Sequence, residues 1–141
     1  MTKQVPVDCV DIRPFSKDDI NFIYATWIRG LYFGNSWFRE IPDKIYYAKY
    51  HKVIDRIIES PDTHIQIACL KEDPGVIIGY AVMIGEPKDA TVLHWVFTRE
   101  VWRKLGVARK LIPPQIEVVT HLTKIGKNLK PKEWVFDPFL A

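Results

Sequence analysis

Cysteine is nearly missing from this chain. Cys9 and Cys69 are the only two in 141 residues. Two thiols cannot form a disulfide framework, and their spacing is not CxxC, so a zinc ribbon and a thioredoxin-like pair are both excluded. A reducing, cytoplasmic setting is the expectation. Long apolar runs are missing too. Nothing approaches the ~18 consecutive apolar residues that would span a bilayer. The opening stretch MTKQVPVDCVDIRP lacks the apolar core of a signal peptide. The phosphate and nucleophile signatures GxxxxGK[ST], GxGxxG after a first strand, and GxSxG do not occur. The four histidines, His51, His64, His94 and His121, fit neither HExxH nor zinc-finger spacing, so no metal site is expected. There is no repeat, low-complexity tract or linker.

What is present reads as one domain over residues 1–141. Hydrophobic residues make up 48% and charged residues 26%, and a chain of this length buries roughly two-thirds of its unfolded surface. VDCVDIRP alternates and stops at Pro14, as a strand does. Ser16 can cap a helix whose first turn carries Asp18 and Asp19. Ile20, Ile23, Tyr24, Trp27, Ile28 and Leu31 then form one helical stripe, ended by Gly34-Asn35-Ser36. A second helix starts near Pro42-Asp43, with Tyr46, Tyr50, Val53, Ile54, Ile57 and Ile58 on one face, and ends at Ser60-Pro61. HIQIACL and VIIGYAVMIG read as a hairpin about the EDPG turn. TVLHWVFT is a further strand. A short helix runs to Ile112, where Pro113-Pro114 stops it. VVTHLT and EWVFDPF read as two last strands around a polar segment with Gly126 and an optional short helix. The order β-α-α-β-β-β-α-β-(α)-β predicts an α/β (α+β) fold: a single mixed, mostly antiparallel sheet flanked by helices.

The stretch with the most chemical content is VLHWVFTREVWRKLGVARKLI, residues 92–112. A strand ends at Thr98, a polar corner follows, and Arg103-x-x-Gly106-x-Ala108 opens a helix. Free N–H groups at a helix start attract phosphate. Gly106 and Ala108 are small enough to admit a pyrophosphate, and five basic side chains lie between Arg99 and Lys110. Residues 99–132 hold nine Lys/Arg against two Glu, a net +7, while the whole chain is +3 and the remainder therefore −4. That asymmetry suits an anionic ligand or simply a solvated face. On spacing alone the six-residue pattern also fits an ordinary strand-to-helix turn.

In context, FTREVWRKLGVARKL resembles the cofactor motif [RQ]-x-x-G-x-[GA] of the GNAT superfamily of acyl-CoA-dependent N-acetyltransferases. The element order resembles that superfamily over almost the full chain. More narrowly, YATWIRGLYFGNSWF, YHKVIDRII and VTHLTK resemble small GNAT-like proteins encoded by tailed bacteriophages, which would set the protein in a host cytoplasm. The resemblance implies acetyl-CoA as co-substrate and no metal. Its pyrophosphate would lie on Arg103, Lys104, Leu105, Gly106, Val107, Ala108 and Arg109, and its pantetheine arm on the backbone near Phe97 and Thr98. The thioester would sit where strand VLHWVFT splays from VVTHLT. An amine would attack it directly. His94 is the candidate base, sharing a strand face with Val96 and Thr98, or else a partly buried structural histidine; His121 is the second choice. Trp37 and Phe38 would line the acceptor wall or plug the core, and Trp102 is a lid or a packing residue. Two departures stand out. KIGKNLKPKEW holds none of the superfamily's usual tyrosine acid, and the motif helix is cut short by Pro113-Pro114.

Three functions follow. One is an N-acetyltransferase acting on an amine or protein acceptor. The second is a non-catalytic GNAT-like phage protein that serves as a partner-binding module on a host or virion protein. The third, a nucleic-acid binder, is disfavoured because no recognition motif accompanies the basic third. The acceptor, and the choice between monomer and homodimer, stay open.

Overall fold

The computed structural model describes residues 9–123, 126 and 130–141. Its frame is a six-stranded sheet in sequential order: β1 (Val10–Pro14), β2 (Thr63–Leu70), β3 (Ile77–Ile84), β4 (Val92–Thr98), β5 (Val118–Val119) and β6 (Val135–Phe136). β1 to β4 pair antiparallel, and β4–β5 and β5–β6 pair parallel. The helices are α1 (Ile20–Gly34), α2 (Asp43–Glu59) and α3 (Val107–Leu111). The expected fold class is therefore observed.

Each helix forms where its local signals say. Ser16 and Asp19 make a reciprocal capping box ahead of α1. The Asp19 carboxylate also takes both arms of Arg13, at 2.8 and 2.7 Å. These hydrogen bonds hold the Asp19 carboxyl below the ordinary carboxylate range despite its burial. The stripe Ile23, Trp27, Ile28 and Leu31 of α1 and the residues Tyr46, Ile54 and Ile57 of α2 are buried on one face of the sheet, against Ile67, Tyr80, Val82 and Trp95. α3 sends Val107 and Leu111 to the other face, against Ala81, Met83 and Leu93. β3 is thus covered on both faces, which is why IIGYAVMI is an almost unbroken apolar run.

Two details differ from the sequence reading. VVTHLT does not continue as a strand: pairing stops at Leu93↔Val119. Beyond it the Thr120 and His121 side chains bond to β4, and Asn35 at the end of α1 holds the Leu122 carbonyl at 2.9 Å. EWVFDPF contributes only Val135–Phe136 before a single 3-10 turn, Pro138–Leu140. Most of the polar segment around Gly126, with its expected short helix, lies outside the described residues.

Gly79 of β3 sets how closely β4 can approach. A Cβ there would overlap the Phe97 carbonyl oxygen and lie 3.2 Å from the Thr98 Cα, both backbone atoms that cannot rotate away. Gly79→Ala should lower stability by about 1–3 kcal/mol, the usual cost of overpacking. Urea unfolding would read the change as a lower midpoint with an unchanged slope.

Candidate active site

The site follows the free edge of β4. Arg99 donates its N–H to the Ile78 carbonyl at 2.9 Å. By antiparallel alternation, the backbone groups of Trp95 and Phe97 also face β3, and those of Val96 and Thr98 face the β5 side. β5 has already ended there. Among the described residues the N–H and C=O of Val96 and the N–H of Thr98 meet no partner. Of the two residues expected at this edge, Thr98 is on it. Phe97 turns its backbone to β3 and its ring into the α1 face, edge-on to Phe22 at 5.9 Å; Val96 takes its place at the edge.

The edge leads into the turn before α3. Arg103 is anchored by its Nε on the Thr98 carbonyl at 3.0 Å. Lys104 and Gly106 are left-handed, with φ of 66° and 90°. Among the described residues the N–H groups of residues 104–109 have no acceptor. Nothing lies within 4 Å of a Cβ placed on Gly106, so the backbone is open there. Leu105 and Ala108 are half-buried, Val107 is buried in the core, and the Lys104 and Arg109 side chains are exposed. Lys110 turns back to the Val10 carbonyl at 2.7 Å and takes no part in the turn. Trp102 packs on the α3-side core, which makes it a packing residue.

His94 lies at the other end of the edge. Val82 faces Trp95 and Met83 faces Leu93, so His94 is the extra residue of a β-bulge. The bulge breaks the alternation on which the face assignment rested. Val96 packs with Leu93 on the α3 side, whereas His94 lines a cavity with Arg56 and Ile57 of α2. That cavity measures about 200 Å³ and has Ser60, Asp62 and Thr63 among its polar groups. His94 is buried, 4% exposed, and bonds through Nδ1 to Thr120 Oγ1 at 2.8 Å. His121 is also buried, with Nδ1 2.9 Å from Thr120 Oγ1 and 3.1 Å from the His94 carbonyl. Burial pushes both imidazoles down to about 4, and for His121 the nearby His94 adds to the effect. Both rings are therefore neutral at pH 7.

Around this pair is an aromatic box. Trp27 stacks on Trp95 at 5.9 Å and meets the His121 ring edge-on at 5.5 Å. Among the described residues Trp27 Nε1, Trp95 Nε1 and His121 Nε2 are buried without a hydrogen-bond partner. Thr120 was missed by sequence reasoning, which weighed only the titratable neighbours on this segment. Of the expected acceptor wall, Phe38 is a core plug packed on Tyr46 and Tyr50, and Trp37 is exposed and stacked on Phe38 at 4.3 Å. The structure does not bring either to the His94 cavity. Tyr80 is wholly buried with its hydroxyl on Thr26 and Ile23, and the Tyr46 hydroxyl is committed to the Ile28 carbonyl. Among the described residues no three His, Cys, Asp or Glu side chains come together.

No protein-family profile and no curated protein matches the sequence. Solved structures do match by shape. A proposed acetyl transferase from Pyrococcus furiosus superposes with a TM-score of 0.57 at 12% identity, over 72% of this chain and 68% of that one. A proposed GNAT-family acetyltransferase from Staphylococcus aureus gives 0.51 at 19%, over 71% and 82%. At such identities the likeness is one of fold: the chain has the GNAT-like architecture.

Proposed function

We propose that the chain is an acyl-CoA-dependent N-acyltransferase of the GNAT superfamily that moves an acetyl group from acetyl-CoA to an amine. One observation carries the reading. Among the described residues the Val96 backbone groups and the Thr98 N–H on the β4 edge are unpaired, and this edge runs straight into a strained turn whose N–H groups meet no acceptor there. A pantetheine arm carries amides that pair with a strand edge, and a pyrophosphate suits clustered N–H donors beside Lys104 and Arg109. An acyl thioester held this way would lie near His94, and the cavity beyond would admit the amine. The amine nitrogen attacks the carbonyl carbon; the C–N bond forms, the C–S bond breaks, the nitrogen loses a proton and the thiolate gains one. The fold match supports this reading at the level of architecture.

The test is binding. Acetyl-CoA at ~100 times its dissociation constant should add roughly 2.7 kcal/mol of stability, read as a rise in Tm. No shift at millimolar acetyl-CoA would remove the transferase reading and favour a partner-binding module. Gly106→Glu places a carboxylate where the phosphates would approach and should weaken binding at least about tenfold. A side chain at φ 90° also costs about 1–2 kcal/mol. Gly106→Ala carries the same strain without the charge and is the control. If both variants bind like the parent, the phosphates lie elsewhere.

A further inference from the structure

The hydrogen bonds around His94 can be given a direction. A carbonyl oxygen only accepts, so the 3.1 Å contact from His121 Nδ1 to the His94 carbonyl requires a proton on that nitrogen. The same N–H points at Thr120 Oγ1, 2.9 Å away. The Thr120 hydroxyl then has one proton to give. Its two acceptors are His94 Nδ1 at 2.8 Å and the His94 carbonyl at 3.5 Å. The shorter contact is a full hydrogen bond and the longer one is at the limit. The carbonyl is in any case already served by His121. His94 Nδ1 is therefore an acceptor, and a neutral imidazole protonated on one nitrogen must carry its hydrogen on Nε2.

We propose that Thr120 and His121 are positioning residues that lock His94 as the Nε2–H tautomer, so that its ring meets the cavity as a hydrogen-bond donor to an oxygen atom and not as a base. Resting on the acyl-transfer reading above, that oxygen is the thioester carbonyl, which gathers negative charge as the amine attacks. Donors fixed in advance toward a developing oxyanion are among the strongest contributions a site can make. The relay is built from burial. His94, Thr120 and His121 are 4%, 2% and 8% exposed, so water does not compete for their protons. Trp27 and Tyr50 hold the His121 ring edge-on, at 5.5 and 5.9 Å. The donor role also accounts for a histidine too weakly basic to take a proton from an ammonium group.

Nitrogen-15 NMR of the imidazoles in the free protein at pH 7 tests this directly, with His94→Gln used to assign the His94 signals. The expected result is His94 with an unprotonated Nδ1 and a protonated Nε2, and His121 with the opposite pattern. Thr120→Ser should preserve the His94 pattern, and Thr120→Val should collapse it into a mixture of tautomers. A proton on His94 Nδ1 in the parent overturns the proposal, and needs no variant to fold. A Thr120→Val protein with an unchanged His94 pattern overturns the role of Thr120. With acetyl-CoA and an amine acceptor, Thr120→Val should lower kcat about tenfold, the worth of one hydrogen bond. KM for acetyl-CoA should stay within about twofold and Thr120→Ser should restore the rate; a purely structural role would move KM and Tm together instead. Failure of the parent to bind acetyl-CoA, with the tautomers as stated, would remove the transferase reading and leave the relay standing.

Discussion

Acidification from pH 7 to pH 4 should strip the fold of about 3 kcal/mol for each of its two buried imidazoles. His94 and His121 titrate near 4 in the folded chain against an ordinary value of 6.5. One pKa unit is worth about 1.4 kcal/mol. The sign follows from proton counting. Below pH 6.5 the unfolded chain binds protons at these positions and the folded chain does not. Their contribution is thus complete above 6.5, falls between 6.5 and 4, and levels off below 4. A typical domain holds only about 5–15 kcal/mol in all, so the loss is a large share. The Arg13–Asp19 pair cannot mimic it. Its carboxyl is depressed from 3.8, so its contribution is lost only as pH falls below that value. Urea unfolding at several pH values from 7.5 to 2.5 would separate the two windows. His121→Phe should remove about half of the slope above pH 4, since the ring already sits among Trp27 and Tyr50. Constant stability from pH 7 to 4.5 would show that the imidazoles are solvated.

Most of the frame was legible because its signals are local. The α1 stripe from Ile23 to Leu31 and the Ser16 cap are written in consecutive residues; the structure buries the stripe as read, while Ser16 caps a 3-10 turn, Lys17–Asp19, that leads into α1. So is the corner between Thr98 and Gly106, where the glycine takes a left-handed φ of 90°. What was not legible depends on a partner strand. The bulge at His94 arises because Met83 and Val82 skip one residue of β4, and nothing in TVLHWVFT announces which residue is skipped. That single insertion moved His94 to the α2 face and made Val96, not Phe97, the edge residue. Likewise β5 has the composition of a longer strand but ends after Val119, because the side chains of Thr120 and His121 take up the bonds to β4. Phe38 looked identical to Trp37 in sequence, and only packing on Tyr46 and Tyr50 separates a core plug from an exposed ring.

His94→Ala should lower turnover by about 10²–10³-fold, the usual cost of losing a donor to an oxyanion, while acetyl-CoA affinity changes only a few-fold. The N–H groups of residues 104–109, without an acceptor among the described residues, lie beyond the opposite end of the β4 edge, so the phosphates would not sense the substitution. The pH dependence decides what the ring does. His94 titrates near 4, so it stays neutral from pH 6 to 9.5, and a donor that never changes charge gives a rate ratio of parent to variant that is flat with pH. A general base predicts otherwise: the ratio should shrink as pH rises, because the amine then sheds its proton unaided. His94→Gln supplies an amide N–H in place of the imidazole one and should recover part of the lost rate. Turnover over that pH range with an amine acceptor, alongside Tm and acetyl-CoA binding for each variant, separates the cases. A ratio that falls with pH would restore the base assignment. A variant that loses cofactor binding and melts early would return His94 to the core.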